Sequence, residues 1–275
     1  MTDVRRNRTV ALFCLIALTA ALAALVPRLR SSTTHASRTS PSIARMSAFP
    51  KLFLWAWERP ERLTFINPRE VGIAFLAQTI YMNGNGIVTR PRLQPLDIPA
   101  GTTLVAVVRI ESSRSEKPSL SNEQRTEVTE ALLQIARKQN ISALQIDFDA
   151  TQSERNFYRD LLGEVRRELP DSMPLSMTAL ASWCIFDNWL DDLPVDEAVP
   201  MLFQMGVDQH RITDYLNAGG KLRSSVCLQS VGVSTDETPV LVSPVRRVYV
   251  FNSKPWSEVT VRTALERSRN EIPIP

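Results

Sequence analysis

The sequence predicts an α/β protein, a (β/α)8 TIM-like barrel that follows an N-terminal hydrophobic segment. From residue 52 onward, eight short runs rich in apolar and β-branched residues alternate with stretches of helical periodicity. Residues 51–275 form a body of the size that such barrels need. The alternative is an open doubly wound sheet, which has fewer strands and usually a glycine-rich first turn. Neither GxGxxG nor GxxxxGK[ST] occurs in the chain, so the barrel is favoured.

The apolar runs give the order of the predicted strands, which are 52–57, 72–80, 103–110, 142–148, 174–180, 198–204, 225–230 and 247–252. Four helices are predicted to begin near Ser121, Ser153, Asp208 and Pro255, the first at a capping box that Ser121 forms with Gln124. The first barrel units are expected to be irregular, because the Asn-Gly-Asn-Gly sequence at 83–86 predicts a hairpin turn where a helix would otherwise lie.

The first 50 residues differ in composition from the rest. Three arginines precede an uncharged run of 17 residues at 10–26, which is intermediate in length between a secretory signal and a membrane span. Residues 1–30 are therefore either a cleaved signal peptide or an uncleaved membrane anchor, 31–50 a flexible linker, and 51–275 the barrel domain. Both alternatives predict a location on the periplasmic side of the bacterial cell envelope, anchored to the inner membrane if the segment is retained.

Charge and composition exclude several classes of protein. The net charge of +3 arises from seven arginines and one acid in residues 1–50, whereas residues 51–275 carry 25 basic and 28 acidic residues. No nucleic-acid partner is therefore expected. Two histidines and three cysteines give no motif for a metal or a cofactor, and we expect neither. Cys184 and Cys227 either pair after export or remain buried free thiols, and the thiols are favoured.

Acidic residues cluster at the ends of two predicted strands. Asp147 and Asp149 share one face of the strand at 142–148, and Arg109 and Glu111 share one face of the preceding strand. Barrel enzymes carry their chemistry at the C-terminal ends of strands. Neighbouring strands would bring the three carboxylates within roughly 5–9 Å of one another, a spacing that suits glycosidases. We therefore predict Asp149, Asp147 and Glu111 as catalytic residues.

Other strand ends carry the amide and aromatic side chains that bind sugars. The predicted substrate-binding residues are Arg109, Trp57, Gln78, Tyr81, Trp183, Gln204, Gln229 and Asn252. Two structural alternatives stay open: Arg109 and Asp147 would form an ion pair inside the barrel, and the tryptophans would fill its core.

The chain resembles two families. The stretch LQIDFDATQSERNFYRDLL and the sequence that follows it to Gly206 resemble a bacterial family known as domain of unknown function 3142, over about residues 50–256. That resemblance implies a barrel and an exported context, but no reaction. A looser resemblance is to family 18 glycoside hydrolases, whose fourth barrel strand carries Asp-x-x-Asp-x-Asp-x-Glu. Asp147 and Asp149 match its second and third acids, whereas Leu144 and Thr151 replace the first Asp and the acid Glu.

These observations predict a glycoside-hydrolase-like barrel that hydrolyses an envelope or extracellular polysaccharide with carboxylate acid and base residues. Because Thr151 replaces the acid of the resembled motif, the acid would come from elsewhere, and Glu111 is the candidate. The alternative is a non-catalytic barrel that binds a glycan or a protein at the envelope. Carbohydrate is the expected partner in the first case, together with the membrane through the N-terminal segment.

Overall fold

Eight parallel strands close into a barrel in the computed structural model, which describes residues 45–138, 140–237 and 245–269. Closure follows from the pairing of the first strand with both the second and the last barrel strand. The barrel strands are β1 (Leu52–Ala56), β3 (Val71–Asn83), β6 (Leu104–Ser112), β7 (Ala143–Asp147), β8 (Leu175–Leu180), β9 (Glu197–Met201), β10 (Ser230–Ser234) and β11 (Arg247–Phe251). The (β/α)8 prediction is confirmed.

Helices cover the outside of the barrel after its third strand. They are α1 (Asn122–Ala136), α2 (Arg155–Glu168), α3 (Ala181–Phe186), α4 (Gln209–Asn217) and α5 (Glu258–Arg269), with 3-10 turns at Gln152–Glu154, Gly206–Asp208 and Ser225–Cys227. The Ser121 hydroxyl accepts the predicted cap bond from the Gln124 amide at 3.2 Å. The Gln124 side chain does not complete the predicted box, because it accepts from the Leu120 amide and donates to the carbonyl oxygens of Gly84 and Gly86.

The predicted irregularity of the first units is confirmed. No α-helix lies between β1 and β6, a stretch that is described throughout. Instead β3 turns at Gly84 (φ +47°) into the antiparallel strand β4 (Gly86–Pro91), and the short strands β2 (Glu61–Arg62) and β5 (Leu96–Asp97) pair with each other. This hairpin takes the place of a covering helix, and Gln124 fastens it to α1.

The predicted strand at 225–230 is wrong. Its residues form a 3-10 turn, and the strand is β10, whose sequence SVGVS contains two serines and a glycine. A Cβ atom on Gly232 would lie 2.7 Å from the Trp55 ring, so the small residues of β10 make room for the indole inside the barrel. Sequence pattern favours the more apolar run, whereas the barrel interior selects for size.

The interior of the barrel is aromatic at its centre and charged at one end. The rings of Phe53 and Tyr249 stack at 5.0 Å, and Trp55 lies 5.3 Å from Tyr249. Toward the N-terminal ends of the strands, the buried Glu197 accepts hydrogen bonds from Arg247 (2.6 Å) and Tyr249 (2.5 Å). Glu197 and its partners Arg247 and Tyr249 fill the N-terminal end of the barrel, called here the closed end, and the cleft lies at the other end.

The first described residues already belong to the barrel domain. Arg45 pairs with Asp196 at 2.7 Å, and Met46 is buried while its carbonyl oxygen accepts from Arg247 at 2.8 Å. The predicted linker at 31–50 therefore ends earlier than the sequence suggested. The apolar run at 10–26 lies outside the described residues, and within the described ranges no helix has the length and apolarity of a membrane span.

Cys184 and Cys227 form a disulfide with a Cα–Cα distance of 6.0 Å. The bond ties α3 to the 3-10 turn that precedes β10. The prediction of two free thiols is therefore wrong, and the alternative, a disulfide, is confirmed. Both cysteines are completely buried, as was expected of free thiols, so burial alone does not distinguish a thiol from a disulfide.

Candidate active site

Two strands bring the charged residues of the site together. Arg109 on β6 lies opposite Asp147 on β7 in the parallel register, at the C-terminal end of the barrel. The Thr178 hydroxyl on β8 donates to Asp147 Oδ1 at 2.6 Å, and Arg109 Nε lies 4.0 Å from Asp147 Oδ2. The Asp147 side chain is only 13% exposed, and the hydrogen bond from Thr178 holds its carboxyl group at the floor of the cleft.

The surroundings of Asp147 favour its protonated form. The pKa of Asp147 is raised to about 6, chiefly by burial and also by the charges of Asp149 and Glu111, while the Thr178 hydrogen bond and Arg109 oppose the shift. Partial burial also raises the pKa of Asp149, although this residue remains open to the cleft, and Arg109 lowers it. The two aspartates therefore hold protons at a higher pH than ordinary carboxylic acids do, which suits general acid catalysis.

Glu111 lies farther out than the two aspartates. Its Oε1 atom is 3.0 Å from Arg109 Nε, and both side chains are more than one third exposed. An exposed pair of this kind contributes little to stability. Its geometric effect is to turn the guanidinium group toward Glu111 and leave Asp147 at a longer distance.

Two cavities meet at Arg109, Asp147 and Asp149. The first, called here the apolar pocket, has a volume of about 220 Å³ and is lined by Trp55, Trp57, Arg109, Asp147, Asp149, Thr178, Leu180, Ala181, Ser182, Met201, Phe203, Gln204, Met205, Asp208, Ile212 and Phe251. The second, called the polar groove, has a volume of about 690 Å³ and is lined by Arg109, Ile110, Glu111, Ser112, Ser113, Arg114, Lys117, Pro118, Leu120, Asp147, Phe148, Asp149, Thr151, Ser153 and Glu154. The aspartates therefore occupy the junction of a divided cleft.

Six of the predicted site residues line this cleft. Asp147, Asp149 and Arg109 line both cavities, and Glu111 lines the polar groove. The remaining two, Trp57 and Gln204, line the apolar pocket. Gln204 adopts φ +51°, and its backbone N–H donates to Glu237 Oε1 at 2.9 Å, which fixes the backbone at the mouth of the pocket.

The other five predicted residues line neither cavity. Trp183 is buried on α3, which the sequence did not predict, and its ring meets Trp189 at 4.9 Å. Gln229 precedes β10 and therefore lies at the opposite end of the barrel, where its carbonyl oxygen accepts from two backbone amides. Asn252 is buried, and its Oδ1 atom accepts from Thr235 at 2.7 Å.

Gln78 and Tyr81 both belong to the part of β3 that forms the hairpin. Gln78 is 9% exposed and follows the irregularity in the β3–β6 register. Tyr81 lies opposite Glu111 in that register and is partly exposed, but it does not reach the polar groove. The irregularity shifts the strand by one residue, which a strict alternation of faces could not anticipate.

Sequence reasoning missed the apolar walls of the pocket. Met201 ends β9, Phe251 ends β11, and Phe203 and Met205 follow β9. Apolar residues at strand ends look like ordinary core in a sequence. The available signal was the run MLFQM, which remains apolar beyond the point where the strand ends.

Thr151 and Glu154 form a helix cap beside the aspartates. The Thr151 amide and hydroxyl both donate to Glu154 Oε2, at 2.7 and 2.6 Å, and Ser112 donates to Glu154 Oε1. Glu154 is 6% exposed, whereas its position among other charges predicts a solvated residue. Glu154 lies three residues after Thr151, which occupies the position of the replaced acid, but its three donors hold it as a structural cap.

The residues of the site show no metal-binding arrangement. Across the described ranges, no group of three or more histidine, cysteine, aspartate or glutamate side chains is suited to hold a metal ion.

Fold and site together define a (β/α)8 barrel with an aspartate pair at the C-terminal end of its fourth strand. A family model described as "Domain of unknown function (DUF3142)" matches residues 100–199, from just before β6 to the middle of β9. This match confirms the first resemblance over that stretch. A comparison with curated protein sequences gives no match.

Solved structures of similar fold include carbohydrate-active proteins. A protein assigned as chitinase A from Streptomyces coelicolor is 11% identical, with 80% of this chain and 96% of that chain covered and a TM-score of 0.53. A fungal endo-β-N-acetylglucosaminidase of glycosyl hydrolase family 18 is 10% identical, with 81% and 97% covered and a TM-score of 0.48. At this identity the likeness to the first structure shows a shared barrel fold, which confirms the second resemblance as one of fold.

Proposed function

We propose that this protein is an exported glycoside hydrolase that cleaves a glycosidic bond where the apolar pocket and the polar groove meet. The observation that carries the proposal is the position of Asp147 and Asp149, which line both cavities and have raised pKa values. A substrate that spans the cleft would cross these two carboxyl groups. The similarity in fold to a protein assigned as a chitinase supports a carbohydrate substrate by analogy alone.

In the proposed reaction, Asp149 is the general acid. Its proton passes to the glycosidic oxygen while the bond from that oxygen to the anomeric carbon breaks. A water molecule attacks the anomeric carbon, and its proton passes to the Glu111 carboxylate, whose Oε1 atom lies 3.0 Å from Arg109 Nε. Asp147 touches neither bond, and the hydrogen bond from Thr178 orients it at the floor of the cleft.

The disulfide supports the exported location. Disulfides persist in oxidising compartments and are rare in the cytoplasm. The bond between Cys184 and Cys227 is therefore consistent with a barrel on the periplasmic side of the envelope, reached through the N-terminal segment as signal or anchor. An envelope or extracellular polysaccharide would be the substrate within reach.

The test is release of reducing ends from a panel of polysaccharides by the full chain and its variants. Asp149→Asn should lower turnover by about 10²–10⁴-fold, because a general acid contributes that much, while the melting temperature stays within a few degrees. The matched control is Asp160→Asn, which removes an exposed carboxylate on α2, paired with Arg125 at 3.6 Å, without touching the cleft. Unchanged turnover in Asp149→Asn would contradict the proposal.

A non-catalytic glycan-binding barrel is the second candidate. Thr151 favours it, because a hydroxyl group that donates to Glu154 stands where the resembled motif carries its acid. Binding of a polysaccharide by the wild-type chain, with no release of reducing ends between pH 4 and 8, would favour this candidate over hydrolysis.

A further inference from the structure

We infer that the apolar pocket binds an apolar group attached to the sugar, an alkyl or acyl chain, and not a further sugar unit. The inference rests on the proposed function and deepens it, because it names the chemical class of the substrate. The substrate would be amphipathic, with its glycan in the polar groove and its apolar group in the pocket.

The walls of the pocket carry the argument. Apolar side chains enter the pocket from β8, from β9 and the segment after it, from α4 and from β11; they are Leu180, Met201, Phe203, Met205, Ile212 and Phe251. A sugar can stack one face on an aromatic ring, but the hydroxyl groups around its edge need polar partners. Methionine, leucine and isoleucine offer none, whereas they are suited to hydrocarbon.

The polar side chains of the pocket lie on β6, on and just after β7, at Thr178 on β8, whose hydroxyl donates to Asp147, and at the partly exposed Ser182 on α3. Arg109, Asp147 and Asp149 mark the junction with the groove. Gln204 and Asp208 are exposed or partly exposed, which leaves them in contact with water. An apolar group that enters from the junction would therefore bury surface against hydrocarbon and leave these polar groups hydrated.

The size of the pocket agrees with an alkyl chain. Its volume of about 220 Å³ holds about seven groups of water or methylene size, at ~30 Å³ each. The groove offers the opposite surface, with hydroxyl and charged side chains that can bond sugar hydroxyls: Ser112, Ser113, Arg114, Lys117, Thr151 and Ser153. The contrast between the two cavities, one on each side of the aspartates, is what points to an amphipathic substrate.

The test measures binding of methyl, hexyl and octyl β-D-glucopyranoside below their micelle concentrations, by calorimetry and by tryptophan fluorescence. Each buried methylene strengthens binding about fourfold, so the octyl glycoside should bind roughly 50-fold or more tightly than the methyl glycoside. The emission of Trp55 and Trp57, which line the pocket, should shift to the blue as water leaves. Equal affinity of the three glycosides, or no binding of the octyl glycoside, would overturn the inference.

Two variants locate the chain in the pocket. Met201→Gln and Met205→Gln are close in size, affect partly exposed side chains, and should weaken octyl binding roughly tenfold with little effect on the methyl glycoside. Leu93→Gln is the matched control, because Leu93 is 83% exposed and lines neither cavity. If the affinity for the octyl glycoside is unchanged in both methionine variants, or falls equally in the control, the alkyl chain binds elsewhere and the inference is overturned.

The result can be separated from that of the proposed function. If polysaccharide is hydrolysed while the glycosides bind equally, the inference fails and the hydrolase proposal stands. If the octyl glycoside binds through Met201 and Met205 but no polysaccharide of the panel releases reducing ends, the hydrolase proposal fails and the pocket keeps its ligand class.

Discussion

Asp147 combines an almost buried carboxyl group with a single short hydrogen bond, so its ionisation affects the stability of the fold. The folded-state pKa of about 6 lies above the ordinary value of 3.8. The folded protein therefore binds this proton more tightly than the unfolded chain does. The stabilising contribution is complete below about pH 4 and is lost as the pH rises through 6.

Removal of the charge should stabilise the protein at neutral pH. Asp147→Asn keeps an oxygen that accepts from Thr178 and removes the repulsion from Asp149. We expect the free energy of unfolding at pH 7.5 to rise by about 1–3 kcal/mol. At pH 4 the difference from wild type should be much smaller. Urea denaturation at the two pH values measures both.

Asp160→Asn again provides the comparison. Its carboxylate is mostly exposed, so its replacement should change stability little at either pH. A stabilisation by Asp147→Asn that is equal at pH 4 and pH 7.5 would show that packing, and not ionisation, is responsible.

At the scale of one element, β10 is defined by the space that it leaves for Trp55. Gly232→Ala would bring a Cβ atom to 2.7 Å from the indole ring, which Tyr249 and Phe203 also contact. We expect a loss of about 1–3 kcal/mol in the free energy of unfolding and a change in tryptophan fluorescence, because the ring has to shift. Chemical denaturation and emission spectra measure the two effects.

Gly163→Ala makes the same chemical change where there is room. Gly163 lies within α2, and beyond the backbone of its own helix no atom lies within 4 Å of the place that an added methyl group would take. Alanine should therefore stabilise this helix by about 0.5–1 kcal/mol. If both variants changed stability in the same direction, crowding at Trp55 could not explain the effect in β10.

The elements of the barrel differ in how well the sequence predicts them. Alternation in 142–148 and 103–110 predicted Arg109, Glu111, Asp147 and Asp149 at the ends of adjacent strands, because strands of this kind have a strict period of two. Pattern failed where size decided, as in β10, and where a short helix replaced a loop, as for Trp183 on α3. Pairing of Cys184 with Cys227 depends on contacts 43 residues apart, which local sequence does not encode.

For the whole molecule, one chain of hydrogen bonds joins the cleft to the closed end of the barrel. Trp55 donates to Gln145 (3.1 Å), which donates to Ser176 (3.0 Å), and Ser176 donates to Glu197 (3.3 Å). Glu197 is held in turn by Arg247. A residue that lines the pocket is thereby linked to a buried ion pair at the other end of the barrel.

The contacts of residues 45 and 46 have a practical consequence for how this protein is produced. A version that begins at residue 51, the domain start that the sequence suggested, lacks the carbonyl group that accepts from Arg247 and the arginine that pairs with Asp196. Its free energy of unfolding should be lower by about 1–3 kcal/mol than that of a version beginning at residue 39, which keeps residues 45 and 46 and the six residues before them, since buried charged groups lose partners. Equal urea midpoints for the two versions would contradict this expectation, whereas a lower midpoint for the shorter one would make residue 39 the better start for expression.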